Sequence, residues 1–219
     1  MRQSQSTSPL LLSLLLFTLI CISCDDESDY VYPSAVTEFV DAHVNSAHLI
    51  DKITTDQGET LSLENKVSAK ELQADSYYRS LCMYETNHAE PGRAKVYSLR
   101  LVFASVPMPP EEFAHGVKTD PLSIQSIWLK GDYLNIIALP KAQNITHGFH
   151  FIQDSLVSHG SITNLYLKLY HDQNNDLEAY EQKTYLSVPL KSYSMQKGDS
   201  IYFRVNTYKE GLKTWKFTY

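Results

Sequence analysis

Leu165-Tyr166-Leu167-Lys168-Leu169-Tyr170-His171, followed by Asp172-Gln173-Asn174-Asn175-Asp176, is the stretch that decides the fold. Leu165, Leu167 and Leu169 take one parity, and Tyr166, Lys168 and Tyr170 take the other. This is the period-2 alternation of a strand with one face in a core. The Asp/Asn run that ends it is turn chemistry, because Asx side chains bond their own backbone and tolerate the left-handed region. Residues 163–171 therefore form a strand, and residues 178–190 are expected to pair back across Asp172–Asp176. The same signals recur on either side. Ile124–Lys130 and Tyr133–Leu139 flank Gly131-Asp132, residues 147–156 and 200–208 are strands, and the chain ends on Lys213-Thr214-Trp215-Lys216-Phe217-Thr218-Tyr219. Seven strands with frequent turns predict an antiparallel β-sandwich over 120–219.

The preceding stretch, 34–107, reads as a five-strand unit. In residues 34–45, Val36, Val40, Ala42 and Val44 share one parity. Residues 48–54 and 59–64 flank Thr55-Asp56-Gln57-Gly58, a hairpin signal. Residues 66–75, with Ala69, Leu72 and Gln73, are the one expected helix. Residues 76–86 and 94–106 return to strand. Val106-Pro107-Met108-Pro109-Pro110 stops any ladder, since proline donates no backbone hydrogen bond. Residues 108–119 are read as a linker between two domains. The fold class is all-β.

The N-terminus is a different kind of sequence. Met1-Arg2 is a short positive region, and Leu10–Ile22 is an apolar run broken only by Ser13 and Thr18. As a helix that run spans about 20 Å, against about 30 Å of bilayer hydrocarbon, so it is a signal segment and not a stable span. It ends in Cys21-Ile22-Ser23-Cys24, which resembles the lipobox of bacterial lipoproteins, with Cys21 standing where Leu is usual. The reading is a signal peptide over 1–23 and diacylation, as by palmitate, at Cys24, which attaches the chain to membrane lipid. Cleavage by the ordinary signal peptidase, giving a free secreted protein, is the alternative. Residues 24–33 form a tether that carries Asp25-Asp26-Glu27-Ser28-Asp29. The acidic stretch is either a solvated spacer or, by resemblance, the surface-export signal of Bacteroidota lipoproteins. The expected location is the outer membrane with the body exposed at the surface, and a periplasm-facing body is the alternative.

Composition narrows the partners. The 219 residues carry a formal charge of −6. Loss of residues 1–23 removes only Arg2 and takes that to −7, a balance that excludes a nucleic-acid partner. Cys82 would be the one remaining side-chain thiol, and its place in Tyr78-Arg79-Ser80-Leu81-Cys82-Met83-Tyr84 predicts a buried, inert group.

Catalytic signatures are missing from the sequence. Gly-x-Ser-x-Gly, His-Glu-x-x-His and P-loop patterns do not occur, and no cofactor or metal motif is complete. Asp172, Asn174 and Asp176 match the first ligands of a calcium loop, but Leu177 stands where Gly is required and Lys183 where the bidentate Glu belongs. His147 and His150 point to opposite sides of a strand and read as structural. Asn144-Ile145-Thr146 is a glycosylation sequon that a bacterial lipoprotein does not normally use. The candidate ligand contacts are aromatic: Tyr166, Tyr170, Tyr202 and Tyr208 lie opposite core-facing residues. Exposed Tyr anchors proteins or sugar rings well, and ordinary strand packing is the alternative.

Gly131-Asp132-Tyr133-Leu134-Asn135, the strand Leu165-Tyr166-Leu167 with its Asp172–Asp176 loop, and Tyr185-Leu186-Ser187-Val188-Pro189-Leu190 together resemble the NigD-like lipoproteins of Bacteroidota over essentially the whole mature chain. The resemblance implies an N-terminal OB-type barrel over 34–107 followed by the β-sandwich. It also implies a non-catalytic interaction role, presumed for the founding member to be bacteriocin immunity. A glycan-binding accessory of an uptake system is the rival reading, so the expected ligand is an unidentified protein or glycan.

Overall fold

The computed structural model describes residues 34–87 and 89–219. The expected signal peptide, Cys24 and the tether lie outside the described residues. Strands β1 (Val36–Val44), β2 (Leu49–Thr55), β3 (Thr60–Ser68), β4 (Ser76–Thr86) and β5 (Arg93–Leu101) close into a barrel in the order β1-β2-β3-β5-β4. β3 meets β5 in parallel, through Ser62–Arg93 and Leu63–Ala94, and β1 pairs with β4 antiparallel over its whole length. Register shifts at His43/Val44, Ile50/Lys52 and Met83/Tyr84 give the strands the bends that closure requires. Val40, Ala42, Val44, Ile53 and Cys82 fill the interior. Burial pushes the Cys82 thiol up to about 12, so it stays protonated and inert.

The helix expected over 66–75 is not there. β3 continues through Ser68, and the seven residues left before β4 are too few to nucleate a helix. They form a turn instead. The Ala69 N–H donates to the His48 carbonyl, Leu72 N–H donates to Ala69, and Asp75 adopts φ 52°. The long strand expected over 94–106 also breaks. At Val102, whose N–H donates to the Arg79 carbonyl, the chain leaves the barrel.

Beyond Val102 the strands are β6 (Phe103–Ala104), β7 (Ser123–Lys130), β8 (Tyr133–Leu139), β9 (Lys141–Ala142), β10 (Gly148–His159), β11 (Ile162–Asp172), β12 (Tyr180–Glu181), β13 (Thr184–Pro189), β14 (Ser200–Thr207) and β15 (Gly211–Thr218). One sheet runs β10-β11-β14-β15 and the other β6-β13-β8-β7, with β9 and β12 as a small separate pair. The two inner faces meet over Leu134, Ile136, Leu167, Leu186, Phe151 and Phe203, all fully buried. Pairing is mostly antiparallel, but β11–β14 and β6–β13 are parallel.

Three expectations need correction. Residues 178–190 do not pair back on 163–171. β13 joins β8 in the opposite sheet, so Asp172–Asp176 starts a crossover and not a hairpin. The boundary drawn at residue 107 moves back, because β6 already belongs to the sandwich. Residues 108–119 are not a free linker. Met108 exchanges backbone bonds with Phe151 and Gln153, Lys118 accepts from the His171 N–H, and the Phe113 ring stacks on Tyr170 at 4.8 Å.

The barrel packs on the outer face of β7, β8 and β13, which strand alternation alone would leave to water. Asn135 and Ser187 are fully buried there. Phe39, of outward parity in the barrel, sits edge-on to Trp128 at 5.3 Å and Tyr185 at 6.0 Å. Arg79 is the hub of this junction. It forks onto Asp56 at 2.7 and 2.8 Å, donates to Asn135 at 3.0 Å, and stacks 3.8 Å over the Tyr133 ring. Ser187 in turn donates to Asn135. Gly131 closes the contact at the β7–β8 turn. It has φ 56°, and a Cβ there would lie 2.8 Å from the Asp56 carbonyl oxygen. Gly131→Ala is therefore expected to cost about 1–3 kcal/mol, from a left-handed non-glycine plus a backbone clash. Thermal melting checks it, and an unchanged midpoint would mean the two backbones are not held this close.

Candidate binding groove at the barrel–sandwich junction

Where β5 leaves the barrel, the surface folds into a groove of about 410 Å³. Arg100 and Leu101 of β5 and Phe103 of β6 form one side. Lys183, Thr184 and Tyr185, at the start of β13, form the floor, and residues 143–147 form the far wall. Leu101, Phe103 and Ile145 are 47%, 39% and 44% exposed, so apolar surface opens directly into the groove. Arg100 lies 5.5 Å over the Tyr185 ring. Among the described residues no carboxylate side chain lines the groove, and neither Arg100 nor Lys183 is in an ion pair. Tyr185 is shared with a second cavity of about 260 Å³ that reaches Phe39 and Trp128.

The far wall is fixed from behind by Asp176. Its carboxylate accepts the Gln143 N–H at 2.6 Å and the Asn144 N–H at 3.2 Å. Those backbone bonds hold its pKa down at about 2. With both oxygens engaged this way, and Asp172 held by Lys118 at 2.7 Å, the Asp172–Asp176 loop serves as a strut. Asn174 and Asn175 supply its two left-handed residues, as Asx chemistry allows. Among the described residues no group of three or more His, Cys, Asp or Glu is placed to hold a metal ion.

A histidine pair backs the same wall. His171 Nδ1 lies 2.8 Å from the Asp120 carbonyl, which assigns the proton to that nitrogen and leaves Nε2 to accept from His147 Nδ1 at 2.9 Å. His147 Nε2 is then buried without a hydrogen-bond partner, 3.5 Å from Asp176. Burial lowers the His171 pKa, against the pull of the Asp120 carbonyl. The unfolded chain thus takes up this proton first, near pH 6.5, and stability falls as pH drops below that value. Asp176 adds stability above pH 3.8 that is lost as pH falls toward about 2. The melting temperature is expected to decline from pH 6.5 to 5, and less steeply in His171→Gln. Equal slopes in both proteins would remove His171 from the account.

The four tyrosines read as ligand contacts do not converge. Tyr166 and Tyr202 stack at 4.8 Å on the outer face of the β10-β11-β14-β15 sheet, with Lys216 5.4 Å from the Tyr202 ring. Tyr170 is covered by Phe113. Tyr208 packs against the sandwich core, and its hydroxyl accepts the Lys141 N–H. His150 Nδ1 turns onto its own backbone, at Phe151.

Residues 104–219 match the family model described as the NigD-like C-terminal β-sandwich domain. A NigD-like immunity protein from Bacteroides caccae superposes with TM-score 0.67 at 29% identity, covering 86% of this chain and 99% of its own. Two more distant structures share the fold. One, from Parabacteroides distasonis and provisionally named toxin-related, has TM-score 0.67 at 18% identity, covering 84% of this chain and 93% of its own. The other, from Bacteroides fragilis and provisionally named a lipoprotein, has TM-score 0.58 at 14% identity, covering 85% and 97%. No curated protein matches the chain. Through a sandwich domain that makes up its C-terminal half, the chain belongs to the NigD-like family.

Proposed function

We propose that this chain is a lipid-anchored binding protein without catalytic activity, held at the outer membrane by acylated Cys24 and facing the medium. It recognises a protein partner through the groove between barrel and sandwich, and by that contact protects the cell from a bacteriocin. The groove carries the reading: a rigid wall, two cations that make no ion pair among the described residues, and exposed apolar side chains meet in one concave place. The immunity role named for the Bacteroides caccae neighbour and the lipoprotein name of the Bacteroides fragilis neighbour support it. Among the described residues no helix is long and apolar enough to cross a membrane.

Two outcomes test this. Cys24→Ala should abolish palmitate labelling and release the chain from the membrane fraction. Deletion of the chain should sensitise cells to killing by a bacteriocin-producing competitor, with rescue by the native protein but not by Arg100→Gln/Lys183→Gln. Unchanged sensitivity after deletion would remove the immunity role. One observation favours a second reading. The stacked, half-buried Tyr166–Tyr202 pair puts aromatic surface on the outer face of the β10-β11-β14-β15 sheet, where a glycan can contact the ring edges, and glycan arrays with Tyr202→Ala as control would expose that activity.

A further inference from the structure

We propose that the ligand of the junction groove is an extended acidic segment of a protein, with carboxylates that meet Arg100 and Lys183 and an aliphatic side chain seated among Leu101, Phe103 and Ile145. The inference rests on the groove being the protein-binding site and names the chemistry that site selects. Charge is its first support. The chain is acidic as a whole, yet the groove presents two cations and, among the described residues, no lining carboxylate. The Asp176 charge behind the wall is occupied by the Gln143 and Asn144 N–H groups. An anionic segment is thus steered away from most of the surface and toward this place.

Shape and surface chemistry choose a peptide over an acidic sugar. A sugar ring needs an open aromatic face, and the Tyr185 ring already lies under the Arg100 guanidinium. The exposed apolar surface is two branched aliphatic side chains and Phe103, whose ring is turned toward Phe151 at 5.9 Å, while the half-buried Phe149 ring is stacked on His171 at 4.9 Å. Aliphatic surface bordered by cations and by the Asn144, Thr146 and Gln182 side chains matches alternating acidic and aliphatic residues. The wall is anchored before binding, so little ordering cost falls on the protein.

The full chain in detergent micelles would be titrated into a fluorescein-labelled Glu-Leu-Glu-Leu-Glu-Leu-Glu peptide, its Gln-for-Glu counterpart and labelled polygalacturonate, with polarisation as the readout. Binding of the Glu peptide is expected to be at least about tenfold tighter than that of the Gln peptide, to weaken with salt, and to drop about tenfold in Arg100→Gln/Lys183→Gln. Both substituted residues are exposed, so the variant keeps its fold, which circular dichroism verifies. Equal binding of the two peptides, no binding of either, or undiminished binding by the variant overturns the inference. Polygalacturonate bound with the same dependence on Arg100 and Lys183 overturns the choice of a peptide. A protein crosslinked from the groove, with no preference for acidic peptides, would sink this inference alone. Absence of any protein crosslink would remove the reading beneath it.

Discussion

Arg79→Ala is expected to lower the free energy of unfolding by about 3–5 kcal/mol, the range for removing one partner of a buried ion pair. The Arg79 side chain is 1% exposed and Asp56 is 5% exposed. Removal of the guanidinium leaves Asp56 without its counter-charge and Asn135 without its charged donor. Asp41, 3.3 Å away, already has its pKa raised by burial despite Arg79, and loses that opposing charge too. Arg79→Lys should recover only part of the loss, since an ammonium cannot fork onto Asp56, reach Asn135 and stack on Tyr133 together. Asp56→Asn should be milder in the Arg79→Ala background than in the native one, because the stranded charge is gone. The arginine joins the two halves, so urea unfolding should also lose its single sharp transition. A loss below about 1 kcal/mol would place the pair among surface salt bridges and contradict its role as the junction's hub.

Phe203→Ala should cost a similar amount, about 3–5 kcal/mol, for a different reason. Phe203 is fully buried at the centre of β14, between Leu167 and Trp215 in the ladder, with its ring 6.4 Å from Phe151, two strands away on the same inner face. Truncation leaves a cavity between two sheets whose backbones are pinned by their ladders and cannot close over it. The neighbouring residue is the control. Tyr202 points outward onto Tyr166, and Tyr202→Ala should cost about 0.5–1.5 kcal/mol, the worth of one aromatic stack. Urea midpoints for the two variants decide the matter. Equal losses would mean that the alternation along β14 does not separate core from surface.

The sandwich was legible because its signal is local. Leu165, Leu167 and Leu169 alternate with polar or aromatic neighbours, and all three prove to be core. Strand partners were less legible. Turn chemistry at Asn174-Asn175 is the same whether the chain reverses within a sheet or crosses to the other, and here it crosses. The helix expected over 66–75 failed because β3 took its first residues. Asn135 and Ser187 look like solvent-facing positions until the barrel covers them, which no periodicity encodes.

The family-like stretches turn out to have a physical meaning. Gly131 admits the Asp56 backbone, Tyr133 stacks on Arg79, and Asn135 and Ser187 complete its hydrogen bonds, so two of the three stretches that carried the resemblance build the junction. The groove was illegible for the opposite reason. Arg100, His147 and Lys183 come from three distant segments, and Lys183 registered only as the wrong residue for a calcium loop. The one available signal was Tyr185, at the head of a family-like stretch.

Site-specific photo-crosslinking on intact cells, with the reactive residue placed at Ile145 in the groove or at Leu212 on β15, tests the groove as a protein-binding site most directly. Both positions are exposed. The account predicts a discrete protein adduct from Ile145, none from Leu212, and loss of the adduct when Cys24→Ala releases the chain. Adducts of equal yield from both positions, or no protein adduct from Ile145, would contradict it.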